Sequence, residues 1–137
     1  MSGSIAGRDY RAVNFLQQNG SNSVFIPLST FSWDNNQANS GMLELKVDFN
    51  SGFQEVGRVS HFDIAENKYC NNIPADDTTR LDNCGDNTQL TWLSTPKRTI
   101  TMSQNEKTYV YTISDIGIKV TALENPDIAL GQGLLPR

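Results

Sequence analysis

Leu43-Glu44-Leu45-Lys46-Val47-Asp48 alternates without a break, three aliphatic side chains on one face and three charges on the other. Successive side chains of an extended chain point to opposite faces, so a period of two marks a β-strand. Working outward, the same beat recurs. Ile118-Lys119-Val120-Thr121-Ala122 repeats it, Ile100 and Met102 alternate with Thr99 and Thr101, and Tyr109, Tyr111 and Ile113 share one side. Val24, Ile26 and Leu28 form another set, in which Pro27 lacks the N–H that a ladder needs and marks an edge or an interruption. Turn chemistry separates the runs at Asn19-Gly20, Ser51-Gly52, Gln104-Asn105-Glu106 and Asp115-Ile116-Gly117. No segment sustains a helical period with good caps. The chain reads as all-β.

Two groups of four strands follow from this count: 9–17, 22–30, 41–49 and 53–60, then 97–103, 107–114, 116–122 and 126–131. Short connections within each group predict antiparallel up-and-down pairing, so the fold class is two tandem four-stranded meanders. Residues 1–7 read as a leader or as the cut edge of a longer protein, 8–60 as the first unit and 97–137 as the second unit with a tail. Between them, 61–96 reads as an irregular acidic insertion. From His61 to Leu90 it carries Asp63, Glu66, Asp76, Asp77, Asp82 and Asp86 against Lys68 and Arg80, which accounts for the whole net charge of -4. So long an irregular stretch is more than a plain connector.

Composition narrows the function classes. The 137 residues suffice for one domain with a real core. Only 19% of them are charged, while Asn, Ser and Thr supply 37, so the polar content is mostly neutral. A general nucleic-acid binder needs a basic face, which an acidic chain of pI near 4.8 lacks in its totals. No apolar run approaches the ~20 residues of a membrane-spanning helix. Cys70 and Cys84 enclose thirteen residues too poor in apolar side chains to hold themselves in place, so a disulfide is expected between them. Such a bond implies an oxidising compartment, periplasmic or extracellular. Two cysteines and the distant His61 fall short of a zinc set.

Residues with chemical capacity are few. His61 titrates near neutrality and follows a strand, but adjacent strand residues face opposite ways, so Ser60 forms no dyad with it. It reads as a structural histidine bonded to backbone, and no catalytic residue is assigned. Asp76, Asp77, Asp82 and Asp86 offer oxygens of the kind calcium takes, yet they lack the spacing of an EF-hand. A solvated acidic loop is the preferred reading, with no cofactor and calcium as the alternative. Phe31, Trp33 and Trp92 read as core aromatics, with anchors for a partner as the alternative. Lys97-Arg98 reads as a strand start, and Asn19-Gly20-Ser21 as a turn rather than a glycosylation sequon.

The ordered series of pieces carries a resemblance. It runs through Asp9-Tyr10-Arg11-Ala12, Val24-Phe25-Ile26-Pro27-Leu28-Ser29 and Gly41-Met42-Leu43-Glu44-Leu45-Lys46-Val47-Asp48 to Gly52-Phe53-Gln54-Glu55-Val56-Gly57-Arg58-Val59-Ser60-His61. It resumes at Arg98-Thr99-Ile100 and at Tyr109 to Val120, and Leu134-Leu135-Pro136 suits its close. In this order the chain resembles the last two blades of predicted secreted proteins with a C-terminal β-propeller domain, distantly related to WD40 repeats. The resemblance implies a propeller fold and secretion, and it carries over no catalytic residue. A closed propeller has typically four to eight blades, so a pair leaves apolar faces that need a neighbour. The expected function is a non-catalytic module of a secreted, periplasmic or cell-surface protein. Its partners would be another protein, neighbouring blades or a second copy. The alternatives are part of the scaffold of a metal-dependent secreted enzyme, or a structural self-assembling unit.

Overall fold

A computed structural model gives the protein's structure, describing residues 2–18, 20–32, 34, 37–78, 80, 84 and 87–136. Among these residues nine strands form two antiparallel sheets. The first sheet holds β1 (Ser2–Gly3), β2 (Asn14–Gln18), β3 (Ser21–Ser32), β4 (Gln37–Asp48) and β5 (Gly52–Val59). The second is the meander β6 (Arg98–Gln104), β7 (Lys107–Ile113), β8 (Gly117–Ala122) and β9 (Asn125–Leu134). All eight expected strands are present. The turns follow their chemistry: Gly20 and Gly52 take φ of 80° and 75°, and Asn105 and Glu106 both sit at positive φ in a two-residue hairpin loop.

The first strand is shorter than the alternation suggested. Residues 5–7 and 10–12 wind into 3-10 turns instead, the second capped by Asp9, whose side chain accepts from the Arg11 N–H. The edge of β3 is therefore shared, with β1 opposite Ser29 and Thr30 and β2 opposite residues 21–25. Pro27 sits in the gap. It has no N–H to leave unpaired, and its carbonyl accepts from the Ser4 hydroxyl. Residues 2–4, read as leader, thus lie against the sheet.

Among its described residues, the stretch expected to be irregular contains two helices, α1 (Phe62–Glu66) and α2 (Asn87–Ser94), with one π-helical turn at Asn67–Asn71. Ser60 accepts from the Phe62 N–H at the start of α1. Cys70 and Cys84 are joined by a disulfide with an S–S distance of 2.07 Å. Around it Ile64, Ala65, Cys70, Leu90 and Ile116 form a small core, and Ile116 belongs to the β7–β8 turn. The helices escape a search for periodicity because each is short and is held by tertiary packing rather than by propensity.

A second core lies between the sheets, where Phe25, Met42 and Val59 of the first meet Val110 of the second. Gly57 permits the close approach of β9 to β5: a Cβ there would come within 2.6 Å of the Pro126 ring.

Candidate functional site

Each sheet has an inward face, turned to the other sheet, and an outward face. Their polarity runs opposite to a simple reading of the pattern. On β7 the inward side chains are Thr108, Val110 and Thr112, all buried, while Tyr109, Tyr111 and Ile113 point outward and are half-buried. Cross-strand register places Ile100 and Met102 of β6 beside Tyr111 and Tyr109, and Val120 and Ile118 of β8 beside Tyr111 and Ile113. Ile100 and Met102 are more than half exposed, and β9 places Gly131 and Gly133 beside Val120 and Ile118. The outward face of the second sheet is thus a contiguous aliphatic and aromatic surface.

The first sheet repeats the arrangement. Val24, Ile26, Leu43, Leu45 and Val47 lie outward, flanked in register by Phe15 and by Phe53, which are 74% and 71% exposed. Glu44, whose position beside Lys46 and Asp48 reads as a charged outer face, is instead buried on the inward side next to Phe25 and Gly57. Burial, reinforced by the negative charge of Glu124, pushes its carboxyl up to about 8, so it is mostly protonated at neutral pH.

His61 is fully buried at the junction. Its Nδ1 lies 2.8 Å from the Ser114 hydroxyl and its Nε2 2.8 Å from the Thr112 hydroxyl. Expected to bond backbone, it bonds side chains of the second sheet, because the chain turns into α1 there and carries the ring against β7. Burial first, and then the Lys119 ammonium, lowers its pKa to about 4 against the smaller opposing pull of Asp63. The neutral ring matches hydroxyls that donate or accept as required. With both nitrogens engaged and no exposure, His61 is a joint between the sheets.

Other polar contacts tie the same junction. Gln18 donates to Ser103 and Thr108, Asn14 to the Thr99 carbonyl, and Lys119 to Asp63 and the Ser60 carbonyl. Lys97 and Arg98, read only as a strand start, pair with Asp115 and Asp9. Together these residues line an open cavity of about 320 Å³ with Ile113 and Ser114. Its two cations and two carboxylates pair within the lining.

The remaining candidates separate. Cys70 and Cys84 form the expected disulfide. Asp76 and Asp77 are exposed, and the Asp77 N–H donates to the Pro74 carbonyl, whereas Asp82 and Asp86 lie outside the described residues. Among the described residues no three His, Cys, Asp or Glu side chains gather as a metal would require. Trp92, read as core, is 71% exposed, because α2 turns Thr91 and Ser94 against β4 and Leu90 into the core around the disulfide. Trp33 lies outside the described residues, and Phe31 is half-buried. No helix among the described residues is long and apolar enough to cross a membrane. The outward faces were the feature sequence reading located least well, although the clustering of Tyr109, Tyr111, Ile113 and Ile118 carried the signal.

No curated protein and no solved structure matches the chain. A family model described as a beta propeller domain matches residues 1–126, in keeping with two packed antiparallel meanders. The chain belongs to the beta propeller domain family.

Proposed function

We propose that the chain is a non-catalytic propeller module of a secreted or periplasmic protein and works by docking other protein surface through its outward blade faces. The distribution of polarity carries this reading. The two blades spend Thr108, Thr112, Thr121, Ser114, His61 and Glu44 on the surface they bury against each other. They keep Ile100, Met102, Tyr109, Tyr111 and Ile118 for the surface they show. Contiguous apolar patches of more than a few hundred Å² on soluble proteins are characteristic of interaction sites. The Cys70–Cys84 bond supports an oxidising compartment.

Replacing Ile100 and Met102 by Lys tests the docking reading. The double variant should keep the β-sheet circular dichroism of the parent and lose association with the protein it co-purifies with from its native source. Undiminished association would contradict the reading. Trapping free thiols in intact cells before lysis tests the compartment, since alkylation of both Cys70 and Cys84 would place the protein in a reducing environment.

A further inference from the structure

β9 ends the second sheet and, among the described residues, pairs with β8 alone. Nine of its ten residues are exposed, the exception being Pro126. From residue 128 to 134, Ile-Ala-Leu-Gly-Gln-Gly-Leu carries no charge and no proline, and Ile128, Leu130 and Leu134 are 57%, 59% and 58% exposed. Natural edge strands are usually blunted by charges, prolines, bulges or brevity. The terminal strand of the first sheet follows that rule, bearing the ion-paired Glu55 and Arg58. The last seven residues of β9 carry neither charge nor proline and are interrupted by a bulge at Leu130, beyond which residues 131–134 run in regular register with β8.

The ladder indicates which groups stand free. The Leu135 N–H donates to the Ile116 carbonyl, and residues alternate along an antiparallel strand, so Gly133 faces β8 while Gln132 and Leu134 turn their backbone groups to the open side. A Cβ built on Gly131 or Gly133 would meet nothing within 4 Å, so the surface over these glycines is open to an incoming side chain.

We propose that β9 pairs antiparallel with β9 of a second copy, joining two four-stranded sheets into one of eight strands about a two-fold axis. Pairing of a segment with itself brings like residues together, and the absence of charge from 128 to 134 removes the repulsion that usually forbids it. With Gln132 opposite Gln132, Gly131 of one copy falls opposite Gly133 of the other, and Leu134 comes against the bulge at Leu130. The contact is at the rim of the blade, so it is independent of whatever covers the outward faces.

Light scattering after size exclusion tests this on the full chain, from about 1 µM to 1 mM, a range suited to so small an interface. The expected mass rises with concentration and stops at twice 15.2 kDa, because a two-fold contact closes on itself. Leu130→Lys charges the edge and Gln132→Pro removes a free edge N–H. Either variant should return the mass to the monomer with unchanged circular dichroism, while Met102→Lys leaves the dimer intact. In the dimer, the amides of Gln132 and Leu134 should exchange hydrogen at least tenfold more slowly than in the monomer. A monomer throughout, a dimer indifferent to both edge variants, or a mass series passing beyond two and abolished by Met102→Lys would overturn the proposal. The last outcome would assign self-association to the outward faces instead.

Discussion

The Nε2 of His61 lies 2.8 Å from the Thr112 hydroxyl, so the residue that follows the first blade is bonded to an inner strand of the second. The other ring nitrogen holds Ser114 on the same side. One buried side chain thereby fixes the placement of two sheets that are separate in sequence.

Removing this joint should loosen the pair. His61→Ala leaves two buried hydroxyls without a ring to bond and opens a cavity, at a cost on the order of 3 kcal/mol. Urea denaturation at pH 7 should show a lower midpoint with secondary structure retained before the transition. A loss below about 0.5 kcal/mol, the range of ordinary surface changes, would mean that the ring carries no structural load.

Stability should have a plateau in pH. Glu44 titrates at about 8 in the fold against an ordinary 4.5, so its linkage lowers stability as pH rises from 4.5 to 8. His61 titrates at about 4 against 6.5, so its linkage lowers stability as pH falls from 6.5 to 4. Between 4.5 and 6.5 the two slopes oppose and offset. Above 6.5 the Glu44 slope stands alone and costs roughly 2 kcal/mol by pH 8, at 1.36 kcal/mol per unit of pKa. Below pH 4.5 the His61 slope stands alone. Melting temperatures across pH 4 to 9 should show this shape, and Glu44→Gln should flatten the alkaline limb. An alkaline limb unchanged in that variant would contradict the assignment.

The strands were legible because period two is local. Each alternating run needs only its own residues to declare itself, and Gly20, Gly52 and Asn105 mark the turns between them. The direction of each face was not local. Leu43, Leu45 and Val47 look like an inner face beside Glu44, Lys46 and Asp48, yet Glu44 is the buried member, because what lies across from β4 is set by a sheet fifty residues away. The helices of the insertion were illegible for the same reason. Ile64 and Leu90 become core only once Ile116 and the disulfide are beside them.

The disulfide should matter more to this insertion than to the sheets. Closing a loop of ~15 residues stabilises by about 3 kcal/mol in the chain-entropy model. Replacing Cys70 and Cys84 by Ser should therefore lower the unfolding free energy by about that amount. Hydrogen exchange should quicken first in α1 and α2, with β7 and β8 still protected. Uniform loss of protection across the chain would contradict this ordering.

Glu106 occupies the left-handed region at φ 63°, where a side chain costs roughly 1–2 kcal/mol that glycine escapes. Glu106→Gly makes the loop Asn-Gly, the favoured pair for a two-residue hairpin. Because glycine loses more entropy on folding, the net gain expected is about 0.5–1 kcal/mol. A lowered melting temperature would count against this turn geometry.

Oxidative footprinting of Met102 bears most directly on the docking claim. Met102 is 57% exposed on the outward face, while Met42 is buried in the junction and serves as the internal reference. Hydroxyl radicals should modify Met102 rapidly in the purified chain at low concentration. In the protein held in its native extract the rate should fall at least fivefold, with Met42 slow in both. Equal modification of Met102 in the two settings would show that nothing covers the face, and would contradict the account.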